Sequence, residues 1–249
     1  GREIMKTLIR VALIASFATP LAWSAGTVKV YTQDNTKPKT LTNAGHLIDL
    51  VGQPRLANSW WPGAVISERQ ATVVAEQQHN ALLARLTGLA EQEEGDDAAA
   101  INSLRQQLKA LKVTGRLPVN LDPDHVRVAE TANPSLEGEY TLWLPVQPST
   151  ITVFGLVSSP GDKPFMPGRD VASYLDEQNL LSGADKSYAW VVYPDGQTQK
   201  APVAYWNKRH IELMPGSVIF VGFADHFWTK AYDGLNADIL HSLKQRIPE

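Results

Sequence analysis

Few residues in this chain have the types and spacing that chemistry demands. The six histidines, His46, His79, His125, His210, His226 and His241, show no metal-ligand spacing such as HExxH. There is no GxSxG nucleophile turn and no glycine-rich phosphate loop. With no cysteine, thiolate zinc sites, disulfides and lipid-modified cysteines are excluded. Carboxylates are plentiful, but sequence alone does not pair two of them across a cleft. What remains suits binding. Arg116 follows Gly115 where an inserted segment rejoins its domain, a place where crevices form. Its guanidinium can grip a carboxylate or phosphate bidentately, and acidic sugars carry both groups. The competing reading is a surface arginine or a structural salt bridge. Trp60 and Trp61, beside Pro62 and Gly63, could stack on the apolar faces of sugars. The alternative is that at least one is core, since tryptophan is highly buried on average. His79 falls in a helical seam, where packing is the ordinary role. Glu91, Glu93, Glu94, Asp96 and Asp97 crowd one turn, as a contact for a basic partner or as a solvated loop.

The elements that must position these residues form a diverged repeat. In the second half, residues 151–157 read as a strand, with a turn at 159–162 and a short amphipathic helix within 169–179. A strand follows at 188–193. Pro194, Asp195 and Gly196 turn it back into 197–205, and Pro215 and Gly216 precede a last strand at 217–222. The first half repeats the scheme. It has a strand at 28–31, a helix-like stretch at 41–51, a turn and strand at 60–66, a strand at 126–129 and a closing strand at 137–144.

An insertion interrupts the first unit. Ala75, His79, Leu82, Leu86 and Leu89 recur at four, three, four and three, and Ile101, Leu104, Leu108 and Leu111 at three, four and three. The spacing predicts an antiparallel helical hairpin over residues 68–112, joined near Gly95, its longer helix about 40 Å. Its seam residues are expected to bury one another, making the hairpin separable. At the C-terminus, Asp225 can cap a helix carrying Trp228, Tyr232, Leu235, Ile239, Leu243 and Ile247 along one stripe of about 34 Å. That stripe either packs on the second β domain or stays partly exposed to dock on a partner.

The N-terminal region reads as an export signal. Lys6 and Arg10 precede an apolar stretch, and Ala22 and Ser24 place small residues before an expected cut after Ser24. Without residues 1–24, Lys+Arg falls from 23 to 20 and Asp+Glu from 26 to 25, leaving a net charge of −5. Such a balance argues against nucleic acid or an anionic membrane as the main partner, because both require a basic face.

The run Val153-Phe154-Gly155-Leu156-Val157, then Pro160-Gly161, the helix near Val171–Leu175 and Met214-Pro215-Gly216-Ser217-Val218 resemble a soluble ligand-binding β-grasp domain. Two such domains followed by an amphipathic helix are similar to the periplasmic part of the capsule exporter Wza. The whole chain, with its helical insertion, resembles more closely the GfcC family of group 4 capsule proteins. Two features depart from the exporter: no N-terminal lipidated cysteine, and no counterpart of its polysaccharide export sequence domain.

The resemblance implies an α+β protein with two β-grasp domains, 25–149 and 150–223, the first holding the hairpin, then a C-terminal helix at 224–249. It implies a periplasmic accessory protein of capsule assembly or export and no known reaction, and the lack of a catalytic constellation in the residues adds the expectation that it is not an enzyme. Capsule polysaccharide or an outer-membrane export channel would be the partner, with no cofactor, no metal, no nucleic acid and no membrane span of its own. The rivals are a glycan-modifying enzyme and a structural partner that never touches sugar.

Overall fold

The computed structural model describes residues 25–33, 37–225 and 229–249. The expected export signal at 1–24 lies outside the described residues, as do His226 and Trp228. The protein is α+β, built on two mixed sheets with β-grasp topology.

In the first domain, β1 (Gly26–Thr32) pairs antiparallel with β2 (Lys39–Ala44), and α1 (Leu47–Val51) follows. Strand β3 (Val65–Glu68) leads into the insertion, α2 (Arg69–Gln92) and α3 (Gly95–Ala110). After α4 (Pro123–Val128), β4 (Glu139–Leu144) returns between β1 and β3, parallel to β1. The second domain repeats the plan with β5 (Thr150–Gly155), β6 (Gly161–Pro164), α5 (Val171–Leu175), β7 (Tyr188–Val192), β8 (Thr198–Pro202) and β9 (Val218–Val221). Its strand order is β6-β5-β9-β7-β8, against β2-β1-β4-β3 in the first, and each sheet has one central parallel pair. The repeat is therefore one of topology. The hairpin stands where the second domain turns back into β8.

In the first domain, two expected elements differ. Residues 126–129 are not a strand. Asp122 accepts the Asp124 amide, Pro123 occupies the first turn, and together they start α4. Within 41–51, only Leu47–Val51 is helical, because the preceding residues are spent on the β1–β2 ladder.

The first core gathers Val28, Val30, Leu47, Leu50, Ile66 and Leu142. The second is larger, because the hairpin belongs to it. Leu82, Leu86, Ile101, Leu104 and Leu108 form one cluster with Ile151, Val153, Val191 and Ile219 of the second sheet. The expected separable hairpin is thus corrected: its seam buries itself and also covers the neighbouring domain. Gln107 fixes the contact by a reciprocal pair of bonds, its Nε2 donating to the Gly155 carbonyl at 2.9 Å and its Oε1 accepting the Gly155 amide at 2.8 Å. At the hairpin turn, Glu93 accepts the Tyr232 hydroxyl and Asp97 that of Ser182, so part of the acidic cluster is structural.

The C-terminal segment is also shorter and more enclosed than its sequence suggests. Asp225 is not the cap. A turn at Lys230–Tyr232 comes first, and Gly234, at φ 71°, begins α6 (Leu235–Lys244). Tyr232, Leu235, Ile239 and Leu243 are buried in the second core. From Tyr232 to Leu243 the stripe therefore packs on its own protein and is not free to dock. Arg85 of α2 clamps the approach, donating to the Ala231 and Asp233 carbonyls at 2.8 Å and pairing with Asp238 at 3.1 Å. His79 sits at the junction of three helices, with Nε2 2.9 Å from the Leu108 carbonyl and Nδ1 3.0 Å from Ser242 Oγ.

This shared core gives two predictions. Leu104→Ala should cost about 2–5 kcal/mol, and urea melts should show the second domain unfolding earlier together with the hairpin. A self-contained hairpin would leave that domain unchanged. Burial pulls the His79 pKa below its ordinary value of 6.5, partly opposed by the Leu108 carbonyl. The unfolded chain then binds a proton that the fold refuses, so stability should be flat above 6.5 and fall as pH drops through it. His79→Gln should flatten that part of the urea-midpoint profile.

Candidate functional site

The chain leaves α3 and crosses from the hairpin back to the first sheet at residues 113–117, and this crossing builds the candidate site. Gly115 lies so close to α2 that a Cβ there would strike the backbone of Ala71 and Thr72. The segment is pinned on both sides. Leu117 donates its amide to the Ile66 carbonyl at 2.9 Å, and Glu68 donates to Gly115 at 3.2 Å. Opposite, Thr114 donates to the Gln245 carbonyl at 2.8 Å, and Ile247, beyond α6, donates to Lys112 at 2.8 Å. Two stretches far apart in sequence thereby run side by side.

Between them and the two domains opens a cleft of about 780 Å³, with Trp60, Arg116, Phe154, Asp162, Gly216 and Arg246 in its lining. Arg116 donates from Nη2 to the Pro194 carbonyl at 3.0 Å, and its amide donates to Gln245 Oε1 at 3.0 Å. Its guanidinium lies over Gly196, where a Cβ would come within 3.1 Å of Cζ. An arginine of the first domain is thus seated on the β7–β8 turn of the second. Arg246 donates from Nη2 to the Gly216 carbonyl at 2.6 Å.

The electrostatics follow from this crowding. Burial lowers the Arg116 pKa, and the nearby Asp195 charge opposes the shift. Arg246 is pulled down to about 10, chiefly by burial and then by repulsion from Arg116, with Glu249 and Asp162 opposing. Both guanidiniums remain charged at neutral pH. Lys112 also lines the cleft. Its chemistry is that of held cations beside an aromatic ring, suited to gripping an anionic group on a larger molecule.

The structure brings Arg116 and Trp60 into one cleft. Trp60 is half-buried, its ring lying against Gly63, where any Cβ would collide with it. It also lines a neighbouring depression of about 650 Å³ with Asn58, Ser59 and Gln147. Trp61 is placed elsewhere, against the first core. Sequence reasoning missed Arg246. It stands off the apolar stripe of the sequence and beyond the end of α6, and no local pattern marks it; only the pairing of Val113 with Arg246 brings it to the site. Among the described residues, no group of His, Asp and Glu side chains is arranged to hold a metal ion, and no helix is long and apolar enough to cross a membrane.

Fold and site together define a tandem β-grasp protein whose domains are locked by a helical hairpin around a cationic cleft. Comparison with known proteins gives the family. The profile described as "Capsule biosynthesis GfcC, N-terminal" matches residues 24–147, and "Capsule biosynthesis GfcC C-terminal" matches 159–248. A relative from Escherichia coli strain K12, titled "Uncharacterized protein YjbG", is 66% identical over 239 residues, covering 96% of this chain and 98% of that protein. The chain belongs to the GfcC capsule biosynthesis family.

Gly115 gives the site its own prediction. Gly115→Ala should destabilise the protein by about 1–3 kcal/mol or more, because rigid backbone cannot yield as a flexible side chain does. Circular-dichroism melts check this, with Gly88→Ala as the control: there the added Cβ meets nothing, and inside α2 it should stabilise by about 0.5–1 kcal/mol.

Proposed function

We propose that this protein is a periplasmic, non-enzymatic accessory factor of capsule assembly or export, and that the cleft receives acidic capsule polysaccharide. Family membership supports the capsule role. The observation that carries the ligand is the seating of Arg116. Its backbone and side chain are both held, and Arg246 stands beside it, so two cations meet an incoming anion with little ordering left to do. Trp60 adds an aromatic surface suited to a pyranose ring. The export signal in the sequence supports the periplasm. An outer-membrane channel remains the natural partner for handing the chain on, through a surface other than the apolar stripe of α6, which the fold has used.

The test is titration calorimetry with size-fractionated oligosaccharides released from the producing cell's own capsule. The unaltered protein should bind them. Arg116→Gln should weaken binding about tenfold, near 1.4 kcal/mol, while Arg116→Lys recovers part of the loss. Melting curves verify that the variants fold. Absence of binding by the unaltered protein would refute the reading. Depolymerised or modified oligosaccharide in the recovered mixture, read by mass spectrometry, would instead favour a glycan-modifying enzyme.

A further inference from the structure

The second domain carries an exposed feature that its folding does not explain. Between β8 and β9 the chain makes a tight turn from Ala204 to Asn207, with Tyr205 and Trp206 at its centre. Tyr205 is 97% exposed and Trp206 63%. They are the only aromatic side chains among the exposed large hydrophobics of the described residues, and they are adjacent. Central turn positions usually hold Gly, Asn, Asp, Ser or Pro. Burying either ring would contribute about 1.5–3 kcal/mol or more, yet the fold leaves both in water.

Nor is the turn loose. The Ala204 carbonyl accepts the Asn207 amide at 3.2 Å and the Lys208 amide at 2.8 Å. Asn207 Oδ1 accepts the Ala204 amide at 2.9 Å, and its Nδ2 donates to the Ser187 carbonyl at 3.1 Å. The rings are held outward by a structured base. Lys208 and Arg209 beside them are exposed. His210 is drawn away, 3.5 Å from Asp170 and 3.1 Å from Glu212.

We propose that the Tyr205–Trp206 turn is a membrane-interface contact, its rings entering the headgroup layer of a phospholipid bilayer while Lys208 and Arg209 meet the phosphates. Area and chemistry select this occupant. Two aromatic side chains bury about 150–250 Å² each, well short of the roughly 1,000 Å² that a specific protein interface requires. A sugar site would need polar groups converging beside the rings, but the Asn207 amide is committed to the turn. Tryptophan and tyrosine favour the boundary between lipid and water, and adjacent basic residues add attraction to anionic lipid. The net charge, −3 for the whole sequence and −5 without residues 1–24, is compatible with this, because the contact needs a local pair of cations and no broad basic face. Attachment is accordingly weak and reversible.

Co-sedimentation of the whole protein with phosphatidylethanolamine–phosphatidylglycerol vesicles tests the proposal. The unaltered protein should pellet with the vesicles. Combined Tyr205→Ser and Trp206→Ser should lower partitioning about tenfold or more, with an unchanged melting curve. Lys208→Gln with Arg209→Gln should weaken binding to these vesicles but not to neutral phosphatidylcholine. Because the chain has no cysteine, Ala204→Cys takes a single environment-sensitive dye at the base of the turn and leaves both rings and both cations in place. Its emission should shift to the blue when vesicles are added. Failure of the unaltered protein to pellet, equal pelleting of the ring variant, or an unmoved dye spectrum would each overturn the proposal. So would loss of capsule-oligosaccharide binding in the ring variant without any vesicle binding, which would make the turn a sugar platform.

Discussion

The burial of one helical hairpin in two directions at once is the constraint on which this structure depends. Leu82, Leu86, Leu104 and Leu108 pack within the hairpin, and the same cluster extends into the second sheet and α6. The hairpin is covalently part of the first domain and energetically part of the second. A flexible linker between two β-grasp domains would leave their relative position free. Here that freedom is removed by apolar contact and by polar ties at three levels: Glu93 to Tyr232 at the hairpin turn, His79 to Ser242 midway, and Gln107 to Gly155 near the base.

The cleft is a consequence of that rigidity. Arg116 comes from the segment leaving the hairpin, its carbonyl partner Pro194 from the second domain's β7–β8 turn, and Arg246 from the chain beyond α6. Of these, only the β7–β8 turn belongs to the β-grasp plan itself. Two guanidiniums repelling each other in a partly buried space must be held by surrounding structure, and the carbonyls of Pro194 and Gly216 do this without neutralising them. The site thus keeps cationic character that free arginines on a surface would lose to solvent and rotamer freedom.

How much of this was legible in the sequence follows from how local each signal is. The β5, β7 and β9 strands announce themselves through Ile151, Val153, Val191, Val218 and Ile219, and their turns through Pro and Gly. The hairpin seam was equally plain, but its outward contact was not, since a heptad pattern says which face is apolar and not how many partners share it. Val126 and Val128 alternate like a strand, yet Asp122 and Pro123 decide for helix. The apolar stripe of the C-terminal segment runs through Gly234 unbroken on paper, whereas the left-handed backbone there starts the helix later. Arg116 could be singled out because an insertion junction is a sequence feature. Arg246 could not, because its place depends on a pairing more than a hundred residues long in sequence.

The crossing segment at 115–117 also has a consequence for self-association. Strand β3 is the last strand of its sheet, and its outer rim would be a template for another molecule's strand. Leu117 donates to Ile66 and Glu68 to Gly115, while Ser67 faces Arg116 across an isolated bridge, so that rim is already occupied by the chain's own return path. At the far side of the second sheet, β8 has no such cover among the described residues and instead ends on Pro202, with Lys200 in its middle, a composition that discourages strand addition. The duplicated domains therefore blunt their edges by different means, and in the first the residue offered to the cleft is part of the seal. Any shift of the backbone at Arg116 would begin to uncover a sticky strand, so the wall of the cleft is fixed by the same contacts that seal the sheet.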